Sequence, residues 1–166
     1  MTVKIKIIAT GGTMDKIYFD KKNDYQIGDP QVTQVLNVAN VAFEYEVVSL
    51  LRKDSLDLTD DDRRLIYDII SNDKSYRHFV ITHGTDTMVL TAKTLQPIPN
   101  KVIVLTGSMQ PARFMVSDAV YNIGSAMTAV QLLADGVYIA MNGRIFTPDN
   151  ARKNIEMNCF EEISGI

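Results

Sequence analysis

Short apolar segments alternate with helical segments along almost the whole chain, and this alternation constrains the fold more than any other feature. Five segments of five to seven residues are apolar and rich in β-branched side chains, as expected of buried strands. They comprise residues 3–9, 45–51, 78–82, 101–106 and 137–141. Since parallel strands are joined by crossover helices, the alternation predicts an α/β fold with three layers, α/β/α, around a mostly parallel sheet.

The first two helical segments begin with recognisable capping signals. In the first, Asp29 is the expected N-cap and Pro30 the first helical residue, with apolar positions continuing as far as Phe43. In the second, Thr59 and Asp62 have the spacing of a capping box and precede a run of apolar residues at helical intervals. Both helices are therefore expected to start close to these residues.

Two further helices are predicted in the second half of the chain. One comprises residues 88–95, and the other runs from residue 117 to residue 136 with Val120 among its apolar positions. Four methionines are expected to fill the core rather than to bind a metal: Met109, Met115, Met127 and Met141.

Composition narrows the functional classes. A chain of 166 residues, 46% of them hydrophobic, is expected to form one domain over residues 1–166. The formal charge of -3 and the lack of a long basic run argue against nucleic-acid binding. No apolar run approaches the ~18 residues of a membrane span, so we expect a soluble cytoplasmic protein without a membrane partner. The single Cys159 excludes an internal disulfide, and His78 and His83 lack the spacing of a zinc site, so no metal is expected.

Four of the predicted strands end in polar loops that contain glycine. These loops read Thr-Gly-Gly-Thr at residues 10–13, His-Gly-Thr-Asp-Thr at 83–87, Gly-Ser-Met-Gln-Pro at 107–111 and Asn-Gly-Arg at 142–144. In flavodoxin/Rossmann-like sheets, ligands bind beyond the carboxyl ends of the strands, so the four loops predict a site. For any single loop the alternative is a simple turn or a helix cap. None of them contains a phosphate-binding fingerprint.

Three of these motifs together are similar to one known family. Residues 9–13 (Ala-Thr-Gly-Gly-Thr), residues 82–87 (Thr-His-Gly-Thr-Asp-Thr) and the stretch 107–118, which ends in Ser-Asp, resemble the N-terminal domain of the bacterial-type L-asparaginase/glutaminase family. The resemblance covers nearly the whole chain. It implies a single asparaginase N-terminal-like domain, without the smaller C-terminal domain that family members usually carry. It also implies an amidohydrolase that acts on L-asparagine or a related small amide, with no cofactor.

The resemblance assigns roles to residues at matching positions. Thr13 resembles the nucleophilic threonine, and Tyr25 resembles the tyrosine of the mobile lid. Thr85, Asp86 and Lys153 resemble the second threonine, the substrate-binding aspartate and the catalytic lysine. Further substrate-binding positions are Gly12, Gly84, Ser108 and Ser55. This set suits amide hydrolysis, which needs an activated hydroxyl, a base and donors for the oxyanion.

Each assignment has a structural alternative. Thr13 could bond only to its own loop, and Tyr25 could cover the edge of the core. Asp86 could cap the following helix or pair directly with Lys153, which would oppose the use of that lysine as a base. Lys153 itself lies in a charged run that is typical of a solvated surface. For His83 a structural role is expected.

The sequence departs from the family after the second predicted strand. The loop there reads Arg52, Lys53, Asp54 and Ser55, where family members place a small hydroxyl residue that holds the substrate carboxylate. If Arg52 or Lys53 points inward, the pocket would favour a more acidic amide; if both are surface charges, Ser55 would keep the usual preference.

The expected lack of the second domain affects both assembly and activity. Family sites lie between subunits, so we expect a homodimer or larger homo-oligomer that buries the uncovered surface. The alternative function is a binding module for a small amino acid or amide that turns over little or nothing.

Overall fold

A computed structural model describes residues 2–19 and 24–163, with only the backbone described for Phe19. The strands in these ranges are β1 (Lys4–Gly11), β2 (Lys16–Phe19), β3 (Asp24–Ile27), β4 (Glu44–Lys53), β5 (His78–Thr82), β6 (Val102–Thr106), β7 (Gly136–Met141), β8 (Arg144–Phe146), β9 (Arg152–Asn154) and β10 (Cys159–Glu161). The helices are α1 (Val32–Ala39), α2 (Asp60–Asn72), α3 (Met88–Leu95) and α4 (Ala119–Leu132).

One six-stranded sheet forms the centre of the fold. Its strand order is β4-β1-β5-β6-β7-β8, with the first five strands parallel and β8 antiparallel to β7. The five predicted strands are all present in it, and the prediction of a mostly parallel α/β sheet is confirmed. If the five parallel strands are numbered 1 to 5 along the chain, their order across the sheet is 2-1-3-4-5. This is the strand order of flavodoxin-like sheets.

Helices cover both faces of the sheet and bury a separate core on each. On one face, α2 and α3 pack through residues such as Ile66, Ile70 and Leu95. On the other, α1 and α4 pack through residues such as Leu36 and Ile123. The connection after β1 therefore runs over one face and the connection after β5 over the other. A crevice between diverging connections is the usual ligand site of such a sheet.

The first predicted helix is shorter than expected and begins later. α1 ends at Ala39, because the next residue, Asn40, has a left-handed φ of 48°, so Phe43 lies outside the helix. The N-cap is Gln31, without a side-chain capping bond, and not Asp29. The Asp29 carboxylate instead bonds to Arg52 at 2.6 Å.

Local predictions in the other helices are partly right. Thr59 and Asp62 form the reciprocal capping box at the start of α2, as predicted. The fourth helix begins at Ala119 rather than at residue 117, and Val120 is 58% exposed instead of buried. Met115 is fully exposed, so its assignment to the core was wrong. The loop before α4 carries Met115 outward, beyond the reach of the α4 core.

Three short antiparallel pairs are present that hydrophobic periodicity does not predict. They are β2 with β3, β7 with β8, and β9 with β10. Their strands are three to six residues long, and polar residues predominate in β9. Such segments are too short for the alternation of apolar and polar residues to indicate a strand. Within the two described ranges, no helix combines the length and apolarity needed to cross a membrane.

Candidate active site

The loops after β1 and β5 meet at the point where their connections diverge. Gly12 has a φ of 83°, and a Cβ atom placed on it would lie 2.5 Å from the backbone N of Gly84. The Gly12 amide also donates to the Lys53 carbonyl at the end of β4, at 2.9 Å. A side chain at residue 12 would therefore separate the two loops, since its first carbon would overlap backbone.

The loop after β4 joins this contact through Ser55. A Cβ atom on Gly84 would lie 2.6 Å from the Ser55 Cβ, so these two residues also touch. Ser55 is 1% exposed, its Oγ accepts from the Thr87 amide at 3.3 Å, and its carbonyl accepts from the Thr87 hydroxyl at 2.7 Å. Gly12 therefore contacts Gly84, Gly84 contacts Ser55, and the three loops form one wall of the crevice.

Lys153 brings together two of the predicted residues. Its ammonium Nζ donates to Thr85 Oγ1 and to Asp86 Oδ1, at 2.7 Å each. The Thr85 residue is 5% exposed, whereas the side chains of Lys153 and Asp86 are 18% and 41% exposed. The cluster therefore extends from a buried hydroxyl to a carboxylate at the mouth. Asp86 and Lys153 therefore form a direct ion pair.

The β9–β10 hairpin carries Lys153 to that position. Lys153 lies opposite Phe160 in the hairpin, and Phe160 is buried with its ring centroid 6.4 Å from that of Phe146. The Phe160 amide donates to Asn142 Oδ1 at 2.8 Å. Asn142 was expected at the ligand edge because its loop follows a strand, but its side chain anchors the hairpin instead. Sequence reasoning missed this anchor because residues 142 and 160 carry no shared motif.

Thr13 and Tyr25 lie on neighbouring elements but outside this hydrogen-bonded cluster. Thr13 opens a 3-10 turn, Thr13–Asp15, directly after Gly12, and no side-chain hydrogen bond of Thr13 to other described residues is present. Tyr25 lies on β3 and is 46% exposed, with ring centroids 5.4 Å from Tyr18 and 6.1 Å from Phe114. Contact between Gly12 and Gly84 places Thr13 beside the Thr85 loop, whereas Tyr25 belongs to the separate β2–β3 hairpin.

The two basic residues after β4 bond to acidic partners. Arg52 donates to Asp29 at 2.6 Å, and Lys53 donates to Asp62 at 2.8 Å. The side chain of Arg52 is 52% exposed, and that of Lys53 is 40% exposed. This arrangement fits the interpretation of surface charges, and it leaves Ser55 as the polar side chain of the loop that is buried against Gly84.

The loop after β6 is held by Asp118, the last residue of the 107–118 motif, to which the sequence analysis gave no role. Asp118 accepts from the amides of Met109 and Gln110, at 2.9 and 3.0 Å, and from Asn122 Nδ2 at 3.0 Å. Ser108 is buried, and its hydroxyl donates to the Gln110 carbonyl at 2.5 Å, so it faces its own loop. A Ser-Asp pair just before a helix was the available signal for Asp118.

His83 is buried behind the site. Its Nδ1 lies 2.6 Å from the Gly84 carbonyl oxygen and its Nε2 lies 2.8 Å from Thr91 Oγ1. The pKa of His83 is lowered to about 4, mainly by burial; the hydrogen bond with the Gly84 carbonyl raises this pKa, and the positive charge of Arg63 lowers it. The imidazole is therefore neutral near pH 7 and orders the loop rather than exchanging protons.

The groups at the crevice suit acyl transfer. They comprise two hydroxyls, an amine, a carboxylate and backbone amides at strand ends. In the part of the chain that the structure describes, no three histidine, cysteine or acidic side chains are grouped so that they could hold a metal ion.

Known proteins are similar to this chain in sequence. A family model described as "Asparaginase, N-terminal" matches residues 4–164. The L-asparaginase of Thermococcus kodakarensis is 27% identical over 175 residues, which cover 98% of this chain and 52% of that protein. A glutaminase-asparaginase of Acinetobacter glutaminasificans is 30% identical and is matched over 96% of this chain and 52% of its own length. The chain therefore spans about half the length of these relatives.

Solved structures of similar proteins have the same fold. The thermostable L-asparaginase of Thermococcus kodakarensis superposes with a TM-score of 0.83 at 27% identity, covering 99% of this chain and 52% of that one. L-asparaginase I of Vibrio cholerae O1 biovar eltor superposes with a TM-score of 0.84 at 26% identity, covering 98% and 52% respectively.

Substituting the glycine at the loop contact should destabilise the protein. Gly12→Ala places a methyl group on backbone and forces a left-handed residue, so we expect a loss of about 2 kcal/mol or more in unfolding free energy. Gly124→Ala is the matched control, because no atom lies within 4 Å of its added Cβ in α4. It should stabilise by roughly 0.5–1 kcal/mol through helix propensity. Urea unfolding measures both, and equal effects would contradict the loop contact.

Proposed function

This chain belongs to the asparaginase family, and on that premise we propose that it hydrolyses the side-chain amide of L-asparagine or a related small amide to the acid and ammonia. The observation that carries the proposal is the triad of Thr85, Asp86 and Lys153, with both lysine contacts at 2.7 Å. It lies at the crevice where parallel α/β sheets bind ligands, beside the loop that presents Thr13.

In the proposed reaction Thr13 is the nucleophile. Its Oγ forms a bond to the amide carbon, and the hydroxyl proton passes through the site to the leaving nitrogen, which departs as ammonia. Water then attacks the acyl-enzyme ester, and the Thr13 oxygen takes back a proton as the acid product leaves. Lys153 with Thr85 is proposed as the group that accepts and returns protons, and Tyr25 on the hairpin as the residue that closes over Thr13.

Substrate binding is proposed at the mouth and wall of the crevice. Asp86 Oδ1 faces Lys153, and Asp86 is the more exposed partner, so its carboxylate is accessible to a substrate ammonium. Ser55 and the backbone at Gly12 and Gly84 line the wall on which the rest of the substrate would lie. Ser108 was proposed at the same site, and its inward hydrogen bond suits a role in shaping the loop.

Removing the proposed nucleophile should abolish turnover. We expect Thr13→Ala to lower kcat by about 10³-fold or more, and Thr85→Ala or Lys153→Met to lower it by about 10²- to 10⁴-fold. Ammonia release from L-asparagine, with circular dichroism to confirm folding, measures the effect. Lys93→Met, an exposed lysine of α3, is the matched control. Full activity in Thr13→Ala would exclude this nucleophile, and a wild-type protein that binds asparagine without releasing ammonia would favour the binding module.

Loss of Asp86 should weaken the binding of substrates that carry an α-ammonium. A charged hydrogen bond is worth about 1.5–3 kcal/mol, so Asp86→Ala should weaken L-asparagine binding about 10- to 150-fold. Succinamic acid, which lacks the amine, is the internal control and should bind the variant and the wild type alike. Calorimetry measures both ligands, and an equal loss for the two would remove Asp86 from ammonium recognition.

A homodimer or larger homo-oligomer is proposed for the assembled protein. Large apolar side chains are exposed on α1 and α4, among them Val38 at 83%, Val120 at 58% and Leu132 at 80%. Val38 and Val120 line an open groove of about 780 Å³ between α1 and the start of α4. A cytoplasmic location is proposed as well, and cell fractionation tests it.

Charge placed on that groove should dissociate the oligomer. We expect the double variant Val38→Lys and Val120→Lys to sediment as a monomer, because two lysines would be buried against apolar side chains. Leu90→Lys on α3, which is 50% exposed on the opposite face, is the matched control. Analytical ultracentrifugation of all three proteins decides, and a monomeric wild type at high concentration would contradict the proposal.

A further inference from the structure

Asp15 is a buried carboxylate for which the proposed reaction has no role. It is the last residue of the 3-10 turn that begins with Thr13, and it is 2% exposed. A buried acidic side chain lowers stability unless it is bonded, so its contacts indicate what it does.

The contacts of Asp15 join three elements. Its Oδ1 accepts from the amide of Gln31, the N-cap of α1, at 2.9 Å. Its backbone carbonyl accepts from the amide of Gly28, directly after β3, at 2.8 Å. The returning end of the β2–β3 hairpin and the start of α1 are therefore both attached to one residue, two positions after Thr13.

The base of the hairpin is closely packed at this attachment. β2 begins at Lys16, directly after Asp15, and Lys16 pairs with Ile27 at the end of β3. A Cβ atom on Gly28 would lie 3.1 Å from the Ile17 side chain, so the strand exit has little room to shift. Gly28 and Gln31 lie at the two ends of the segment that joins β3 to α1, and Asp15 bonds both ends to the turn that begins at Thr13.

The charge of Asp15 is controlled by groups on two other segments. Burial raises the pKa of Asp15 to about 6, and the negative charge of Asp29 acts in the same direction. The hydrogen bond from Gln31 and the positive charge of Arg52 lower it. Arg52 is itself bonded to Asp29, so the ionised form of Asp15 is attracted by a guanidinium already held in place.

We propose that ionised Asp15 is a positioning residue that sets the β2–β3 hairpin, and with it Tyr25, relative to Thr13. Protonation removes the attraction to Arg52 and weakens the bond to Gln31, because hydrogen bonds to an ionised acceptor are the stronger ones. The hairpin is then less firmly held below about pH 6. Its catalytic consequence rests on the proposed function, whereas the structural consequence does not.

A fluorescent reporter tests the structural part without any turnover. The chain has no tryptophan, so Tyr18→Trp places a single fluorophore on β2, where Tyr18 is half-exposed. Its emission should titrate with a midpoint near pH 6. In the Asp15→Asn background the titration should disappear and the emission should match the low-pH state of the reporter protein. Asp24→Asn, an exposed acid on the same hairpin, should keep the midpoint.

Kinetics test the catalytic part. In the wild type, kcat should fall as the pH drops below about 6. In Asp15→Asn this fall should be absent, and kcat at pH 7.5 should be as low as that of the wild type at acid pH. KM should change less than kcat. Asp15→Ala, which also removes the acceptor for Gln31, should lower kcat about 10- to 100-fold while circular dichroism shows a folded protein. An unchanged kcat in Asp15→Ala, or a titration that persists in Asp15→Asn, overturns the proposal. If the wild type releases no ammonia, the proposed function fails, and the reporter alone then decides the role of Asp15.

Discussion

Close backbone contact between the loops after β1 and β5 is the constraint on which the rest of the site depends. Gly12 and Gly84 approach so closely that a Cβ atom on Gly12 would lie 2.5 Å from the neighbouring amide nitrogen. This contact forms where the chain connections diverge to opposite faces, so it forms part of the wall of the crevice. Ser55 packs on the other side of Gly84, and the loops that carry the proposed catalytic hydroxyls are therefore fixed by main-chain packing rather than by flexible side chains.

The sheet and part of the site could be predicted from the sequence because their signals are local. Buried parallel strands are continuous apolar runs, and a glycine pair at a strand end indicates a tight loop, so the five strands and the loop at Thr13 were found. The β9–β10 hairpin could not be found in this way. Its strands have three residues each, and its position depends on an amide of Phe160 that reaches Asn142, eighteen residues earlier. Lys153 was assigned by resemblance, and only the structure shows what holds it.

The errors in the helices have a common physical cause, which is competition from tertiary partners. Asp29 has the chemistry of an N-cap, but Arg52 from β4 binds its carboxylate and α1 begins after it. Val120 has helical spacing with Ile123, yet the sheet lies on the side of α4 that Ala119 and Ile123 face, so Val120 points to solvent. Propensity and periodicity describe a segment alone, and they fail where a distant side chain binds the same group or where packing selects one face of a helix.

Charge at the mouth of the crevice links substrate binding to the proposed chemistry. Lys153 donates to a buried hydroxyl and to a half-exposed carboxylate. A substrate ammonium that binds Asp86 would share the Asp86 carboxylate with Lys153. In the proposed reaction the ammonium of the correct substrate therefore competes with Lys153 for Asp86, so recognition of the substrate and the position of the lysine beside Thr85 depend on the same carboxylate.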